Sequence, residues 1–399
     1  MDFELSEDQL ALRQAAADLL DSACDLPRVR QVADGDEHLD RKLWQAMAEQ
    51  GWAAVELADD QGGLGLGAVE VSILAEQVGR HLAPVPFLGT VLAVGALNAA
   101  ASTPDSAHSS APGGTAASAP AEAPASTLAG TTLAEWVARL SGGEAVGTVA
   151  WSQRVAALSA TRATNSGAKD RAGQWYVSGR TDPVVYAPVA DVVVAPALCE
   201  GEVALFALAP STPPVGEPAM DRTRSLGRLV LEAEPAVRLG GEVMVERLLD
   251  RAATGLCAEM LGAAERVLHM TVDYAKDRVQ FGRAIGSFQA VKHRCADMLV
   301  DVEGMRSAAY FAAWAVGAGD PDAAAASSTA KVWCSDASRR VMASALQVHG
   351  GIGFTWEHDL HLFVKRAQLD QLSFGDARAH RDRLAAILRP RAEAGLPVL

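Results

Sequence analysis

Cysteine is scarce in this chain of 399 residues, and its spacing excludes a common class of site. The five cysteines are odd in number and stand singly, with no CxxC pair and no Cys/His cluster; they are Cys24, Cys199, Cys257, Cys295 and Cys334. A zinc centre or a disulfide framework would need closely spaced partners. We therefore predict no metal site, and we interpret the cysteines as small core residues in a reducing cytoplasm.

Positive charge is also in short supply. The chain has 35 lysines and arginines against 49 aspartates and glutamates, which gives a net charge of −14. Nonspecific binding to nucleic acid needs a basic surface, because lysine and arginine neutralise the phosphates. An isoelectric point near 5.1 therefore excludes nucleic acid as a partner.

No apolar run is long enough to cross a bilayer. The most apolar stretch, residues 86–101, is interrupted by Gly89, Gly95 and Asn98, whereas a membrane-spanning helix needs about 20 apolar residues. The N-terminus is acidic and has no apolar segment of the kind found in signal peptides. We expect a cytoplasmic protein with no membrane partner, and a buried helix over 86–101.

The first hundred residues are helical in pattern. Ser6 and Gln9 have the spacing of a capping box, in which each side chain bonds the other residue's backbone amide. Further helices are predicted over 40–50 and 69–82. Between them, residues 51–65 predict a short extended piece followed by a glycine turn.

The middle of the chain changes character twice. Residues 102–130 consist mainly of Ser, Ala, Pro, Thr and Gly, which is too poor in large apolar side chains to form a core. We predict a disordered insertion, and deletion of residues 104–126 should leave folding and activity nearly intact. After residue 145 the apolar period becomes two, and five segments predict strands; they are 146–151, 174–178, 191–196, 203–208 and 228–232.

The remaining residues are helical again, and the alanine-rich segments 297–316 and 327–347 favour a bundle. The order of elements predicts an α+β fold. Its expected parts are an N-terminal helical domain (1–101), a low-complexity insertion and linker (102–144), a middle β domain (145–244) and a C-terminal four-helix bundle (245–399).

The segment after the first long C-terminal helix carries residue types that bind nucleotides. Arg278 can form a bidentate bond to pyrophosphate oxygens, and Phe281 offers a ring on which adenine can stack. Gly282 permits a tight turn, and the Gln289 amide can bond a nucleotide edge or a ribose. An isolated motif of this kind is more often a turn that ends a helix.

A second motif strengthens the prediction that the first one binds a nucleotide. Gln347 precedes Gly350 and Gly351, which lack Cβ atoms and let a phosphate approach backbone amides. Together, segments 278–293 and 347–354 resemble the C-terminal domain of the acyl-CoA dehydrogenase family, and the resemblance covers nearly the whole chain apart from the insertion. It implies that these residues bind the adenosine and pyrophosphate half of FAD across a subunit interface. It also implies an acyl-CoA substrate and electron-transfer flavoprotein as redox partner.

The segments that serve the flavin ring and the substrate proton differ from the family pattern. Residues 148–162 contain neither the Glu-Pro nor the Gly-Ser-Asp found there in complete members, and Tyr186 either replaces a tryptophan over the flavin or is a packing residue. The glutamate that removes the α-proton falls on Phe374 or, in other members, on Ala252, and neither side chain accepts a proton. Asp376 is the nearest carboxylate, and it either acts as the base or caps a helix.

Three functions remain open at this point. The resemblance is strongest to the β subunit of bacterial α2β2 acyl-CoA dehydrogenases, some of which act on CoA thioesters of steroid side chains. Such a subunit keeps the adenosine motif and has lost the flavin-ring and base motifs. The second possibility is a self-contained homo-oligomeric dehydrogenase with Asp376 as its base. The third is a helical scaffold that binds no nucleotide and catalyses no reaction.

Overall fold

The computed structural model describes residues 4–35, 39–102, 127–152, 157–162 and 173–397. The N-terminal part consists of helices; they are α1 (Glu7–Ala23), α2 (Leu26–Asp34), α3 (Arg41–Glu49), α4 (Ala68–His81) and α5 (Phe87–Ala101). The predicted capping box is confirmed, because Ser6 Oγ accepts from the Gln9 amide at 3.2 Å and Gln9 Oε1 accepts from the Ser6 amide at 3.0 Å. Helix α5 is the predicted buried helix.

The connection between α3 and α4 is a turn, and the predicted extended piece is wrong. Residues Trp52–Ala54 and Asp59–Gln61 form short 3-10 helices instead. The glycine turn itself is confirmed: a Cβ on Gly63 would lie 2.1 Å from the Leu57 carbonyl oxygen, so the chain folds back on itself closely. This conformation is set by burial of Trp52 and Leu57 in the core, and not by the alternation of apolar and polar residues that a strand would show.

The expected linker up to residue 144 contains folded structure. Residues 103–126, which contain most of the predicted disordered insertion and all of the proposed deletion, lie outside the described residues. Residues 127–130, which the same prediction included, are folded, and Leu128 is 2% exposed. After residue 126 come β1 (Thr127–Leu128), β2 (Thr131–Thr132) and α6 (Leu133–Ser141). The Trp136 indole donates to the Leu128 carbonyl at 3.0 Å, and both residues belong to the core that also contains Leu97 of α5. Two large side chains were enough to anchor a segment that composition assigned to a linker.

The β domain is confirmed. Its main sheet has the strand order β3-β7-β4-β5-β11-β8, and β7 also pairs with β8, so that the sheet closes on itself. These strands are β3 (Gly147–Val149), β4 (Leu158–Arg162), β5 (Trp175–Arg180), β7 (Val192–Cys199), β8 (Glu202–Leu208) and β11 (Val230–Gly240). A smaller sheet contains β6 (Val184–Val185), β9 (Gly216–Glu217) and β10 (Leu226–Gly227). The predicted strand at 228–232 begins two residues later, at Val230.

The C-terminal part is the predicted helical bundle. Its helices are α7 (Glu242–Asp277), α8 (Gln289–Ala318), α9 (Ala323–His349), α10 (Leu360–Leu372) and α11 (Ala377–Glu393). Helix α7 packs against α8 and α9, and α11 packs against α9. Within the described residues, no helix is both long and apolar enough to cross a membrane.

Helices α4 and α7 join the N-terminal part to the bundle at unusually short range. A Cβ on Gly262 would lie 1.8 Å from the Glu76 carbonyl oxygen, and one on Gly79 would lie 1.9 Å from that of Glu259. Only glycine permits such backbone contact between two helices. The contact orients α7, and with it both the cleft and the nucleotide motif described below.

Candidate functional site

The first nucleotide motif forms a hairpin that projects from the bundle. Helix α7 ends at Asp277, and the chain turns back through β12 (Val279–Gln280) and β13 (Arg283–Ala284). Phe281 and Gly282 form the tip, with φ angles of 53° and 76°. The Phe281 ring is 90% exposed, which is unusual for so large an apolar side chain.

The charged and polar groups of this motif are also open to solvent. Arg278 follows the last residue of α7, and its guanidinium forms no ion pair with any described residue. Gln289 is the first residue of α8 and is exposed. In a protein of net charge −14, an accessible arginine without an internal partner is well suited to bind an anionic ligand.

The second motif lies at the same end of the bundle. Helix α9 ends at His349, whose ring stacks on Tyr274 of α7 with ring centroids 4.5 Å apart. At both Gly350 and Gly351 an added Cβ would meet nothing within 4 Å, so their backbone faces open space. Gln347 is exposed. The tertiary structure therefore brings together two motifs that are separated by 69 positions in the sequence.

His349, which lies inside the second motif, has a structural role. Its Nδ1 lies 2.8 Å from the Ala345 carbonyl oxygen, and the residue is 3% exposed. Burial lowers the pKa of the imidazole, so the ring is neutral at physiological pH. A neutral ring that stacks on Tyr274 fixes the end of α9 and offers no charge to a ligand.

Large apolar side chains in and beside the two motifs are exposed. They are Phe281 at 90%, Phe354 at 73% and Trp356 at 69%. Clustered exposed apolar groups of this size are typical of surfaces that another protein covers. The nucleotide motifs thus lie on a surface with the character of a subunit interface.

A separate cleft of about 550 Å³ lies between the β domain and the bundle. Its walls come from the start of α5, from β3 and β6, and from the loop that joins α10 to α11. In this loop, Phe374 adopts a φ angle of 55°, and its ring lies 6.3 Å from that of Trp151. Phe374 thus presents an apolar ring at the position where the family resemblance expects a proton-accepting glutamate.

The two other candidate catalytic positions are Ala252 and Asp376. Ala252 lies on α7 and is fully buried. Asp376 is the N-cap of α11, and its Oδ1 accepts from the Ala379 amide at 2.8 Å. Of the two roles predicted for Asp376, base or helix cap, the structure shows the cap. A carboxylate with this bond is held at the helix end, two residues beyond Phe374.

Tyr186 packs in the wall of the cleft. It is 4% exposed, and its hydroxyl forms no hydrogen bond with the described residues. Burial raises the pKa of the phenol to about 12, so the group stays protonated. The packing interpretation is therefore the one that the structure favours.

An ionic network below the cleft was not anticipated from the sequence. Arg366 of α10 is completely buried and donates to Asp221 at 3.0 Å and to Glu259 at 2.9 Å. Arg224 also bonds Glu259, and it donates to Asp370 at 2.6 Å. The sequence signal was faint, because charged residues at helix positions are normally assigned to the surface. The network joins α7, α10 and the loop before β10.

One buried titratable group next to the cleft loop predicts a pH effect on stability. The His380 ring is 2% exposed, its Nε2 lies 2.9 Å from the Phe374 carbonyl oxygen, and burial lowers its pKa from 6.5 to about 4. The unfolded chain therefore binds a proton below pH 6.5 that the native protein excludes until about pH 4. We expect this residue to reduce stability by up to about 1.4 kcal/mol per pH unit across that window.

The measurement is urea unfolding of the wild type and of His380→Gln at pH 7 and at pH 5. Gln carries no titratable proton, so the stability of the variant should fall less on acidification. Equal pH dependence of the two proteins would show that His380 titrates normally.

Comparison with known proteins agrees with this architecture. Residues 6–104 match the family model for the acyl-CoA dehydrogenase N-terminal domain, and residues 239–388 match that for the C-terminal domain. The chain is 35% identical to acyl-CoA dehydrogenase IpdE2 of Mycobacterium tuberculosis, over 90% of this chain and 91% of that protein.

Two solved structures are similar over nearly their full length. A variant of the Tcur3481-Tcur3483 steroid ACAD has a TM-score of 0.82 at 27% identity, covering 97% of this chain and 99% of that one. The ChsE4-ChsE5 complex from Mycobacterium tuberculosis has a TM-score of 0.80 at 28% identity, covering 100% of both chains. Motifs, fold and relatives agree: the chain belongs to the acyl-CoA dehydrogenase family.

Proposed function

We propose that this chain is the subunit of a heteromeric acyl-CoA dehydrogenase that supplies the adenosine and pyrophosphate half of a shared FAD site. The observation that carries the proposal is a contrast within one molecule. The nucleotide motifs are complete and exposed on an apolar surface, whereas Phe374 and Ala252 occupy both positions where the family carries its base. A homologous partner subunit then supplies the flavin-ring site and the glutamate.

The residues present fit one half of the cofactor. Arg278 would hold the pyrophosphate, Phe281 would stack on adenine, and Gly350 and Gly351 leave room for a phosphate to approach the backbone. When bound, FAD supplies the acceptor for the hydride from the β-carbon of the acyl-CoA. In this chain's own cleft, the apolar ring of Phe374 offers no group for proton removal.

The relatives support the choice of a two-subunit enzyme and of its substrate class. Tcur3481-Tcur3483 and ChsE4-ChsE5 are each named as a pair of components, and the first is described as a steroid ACAD. We infer an α2β2 assembly that desaturates a CoA thioester of a steroid side chain. Electron-transfer flavoprotein would reoxidise the flavin, and the assembly would work in the cytoplasm.

The visible spectrum tests the proposal against its alternatives. The chain is expressed alone and together with a homologous acyl-CoA dehydrogenase subunit, and bound flavin is read near its absorption maximum. We expect a colourless chain alone and a yellow complex. A chain that is yellow by itself would favour the self-contained dehydrogenase, and a complex that stays colourless would favour the scaffold.

A substitution at Asp376 distinguishes the shared from the self-contained enzyme, because Asp376 is the carboxylate nearest to Phe374 in the sequence. Asp376→Asn keeps the size and the capping ability of the side chain and removes only its charge. In the complex we expect turnover of a CoA thioester to change by less than about tenfold, since the partner's glutamate removes the proton. Loss of a general base would instead cost about 10²–10⁴. A fall of that size with flavin still bound would make Asp376 the base.

A further inference from the structure

A second cavity, larger than the cleft, lies further along α5, beside residues 91–99. It has a volume of about 1070 Å³, and no described residue lines both cavities. Its walls come from α5, the first three turns of α7, Leu205 in β8 and the end of β11. The wall combines polar groups with apolar side chains, among them Leu57, Leu92, Leu205 and Leu248. The volume lies at the upper end of the range for small-molecule sites.

Three arginines line this cavity, and two of them have no counter-ion. Arg251 is paired with Glu56, which also lines the cavity. Neither Arg238 nor Arg247 forms an ion pair with the part of the chain that the structure describes. The Nε of Arg238 is buried there without a hydrogen bond. A buried guanidinium nitrogen without an acceptor is costly, and within the described residues no carboxylate compensates the charge of Arg238.

The start of α7 adds positive potential to the same wall. This helix has 36 residues, and its N-cap, Gly241, provides no side-chain hydrogen bond to the first-turn amides. Gly240 and Gly241 both line the cavity, and an added Cβ at Gly241 would meet nothing within 4 Å. The exposed carboxylate of Glu242 offsets part of this potential. The two positive charges of Arg238 and Arg247 outweigh the single negative charge of Glu242.

We propose that this cavity binds an amphipathic anion, a hydrocarbon body that carries one carboxylate or phosphate. The apolar wall would bury the hydrocarbon, and Arg238 and Arg247 would bond the anionic head. Neither arginine belongs to the cleft or to the nucleotide motifs. The inference therefore stands or falls independently of the shared FAD site.

The test is isothermal titration calorimetry of the purified chain with three probes of equal chain length: octanoate, octyl phosphate and octan-1-ol. We expect the anions to bind with 1:1 stoichiometry per chain and the neutral alcohol to bind about tenfold or more weakly. Binding of only one of the two anions identifies the head group. Equal affinity for octan-1-ol, or no binding of either anion, would overturn the proposal.

Variants locate the site. Arg238→Gln combined with Arg247→Gln should weaken binding of the anionic probe by about tenfold or more and leave octan-1-ol unaffected. Arg378→Gln, an exposed arginine on α11 that is remote from the cavity, is the matched control and should bind like the wild type. Since Arg247 is exposed, Arg247→Gln alone provides the test if the double variant fails to fold. Unchanged affinity in both variants would show that the anion binds elsewhere.

Discussion

Replacement of Arg366 by Ala is expected to lower the free energy of unfolding by roughly 3–5 kcal/mol, because it leaves the buried carboxylate of Asp221 without a cation and removes one of the two that Glu259 bonds. Arg366 is completely buried and bonds Asp221, Glu259 and the Thr223 hydroxyl, the last at 2.6 Å. Taking charges out of water is costly, and the network is tolerated only while each ion is paired and hydrogen-bonded. Urea unfolding of the purified chain at pH 7 measures the change.

Arg378→Ala is the control for loss of an arginine, since its side chain is exposed on α11 and its removal should cost less than about 0.5 kcal/mol. Burial raises the pKa of Asp370, another carboxylate of this network, so proton uptake by a carboxylate can offset part of the loss of a cation. A loss below about 1 kcal/mol in Arg366→Ala would mean that protonation or water compensates for the missing guanidinium.

The second large effect concerns cofactor binding. In the complex, Arg278→Ala should weaken FAD binding by about 1.5–3 kcal/mol, or roughly 10- to 150-fold, because a charge-assisted bond to the pyrophosphate is lost. Flavin fluorescence on titration of the deflavinated complex measures the dissociation constant. Melting temperature should stay nearly constant, since the guanidinium is exposed and forms no internal ion pair with described residues.

Two further variants separate charge from geometry. Lys276→Ala removes a nearby exposed cation, whose partner is Asp273 at 3.2 Å, and should leave flavin affinity unchanged. Arg278→Lys keeps the charge and loses the planar fork, so we expect an intermediate affinity. Unaltered flavin content in Arg278→Ala would remove this residue from the cofactor site.

Local patterns in the sequence were sufficient for most of the fold. Ser6 and Gln9 are near neighbours, and so are Asp376 and Ala379; in each case the cap is formed by groups three residues apart. The apolar runs over 203–208 and 86–101 likewise depend on a few adjacent residues. The order of helical, β and helical parts followed from such local patterns, and the nucleotide interpretation came from residue types together with the family resemblance of the two motifs.

Other features depended on contacts between distant segments. Residues 127–144 fold because Leu128 and Trp136 bond each other and pack beside α5, which composition could not reveal. Residues 51–65 form turns and not a strand, because Leu57 is buried in the core. Both differences arise where tertiary packing overrides a weak local preference.

The sequence by itself determined the family, the element types, the residues suited to bind a nucleotide, and the absence of a glutamate at Phe374 and Ala252. Tertiary structure alone decided that Arg366 is buried among carboxylates, and that Arg238 and Arg247 line one cavity. The physical reason is the range of the interactions. Caps and periods act within a few residues along the chain, whereas charge pairing and cavity walls join groups that only the packed fold brings together.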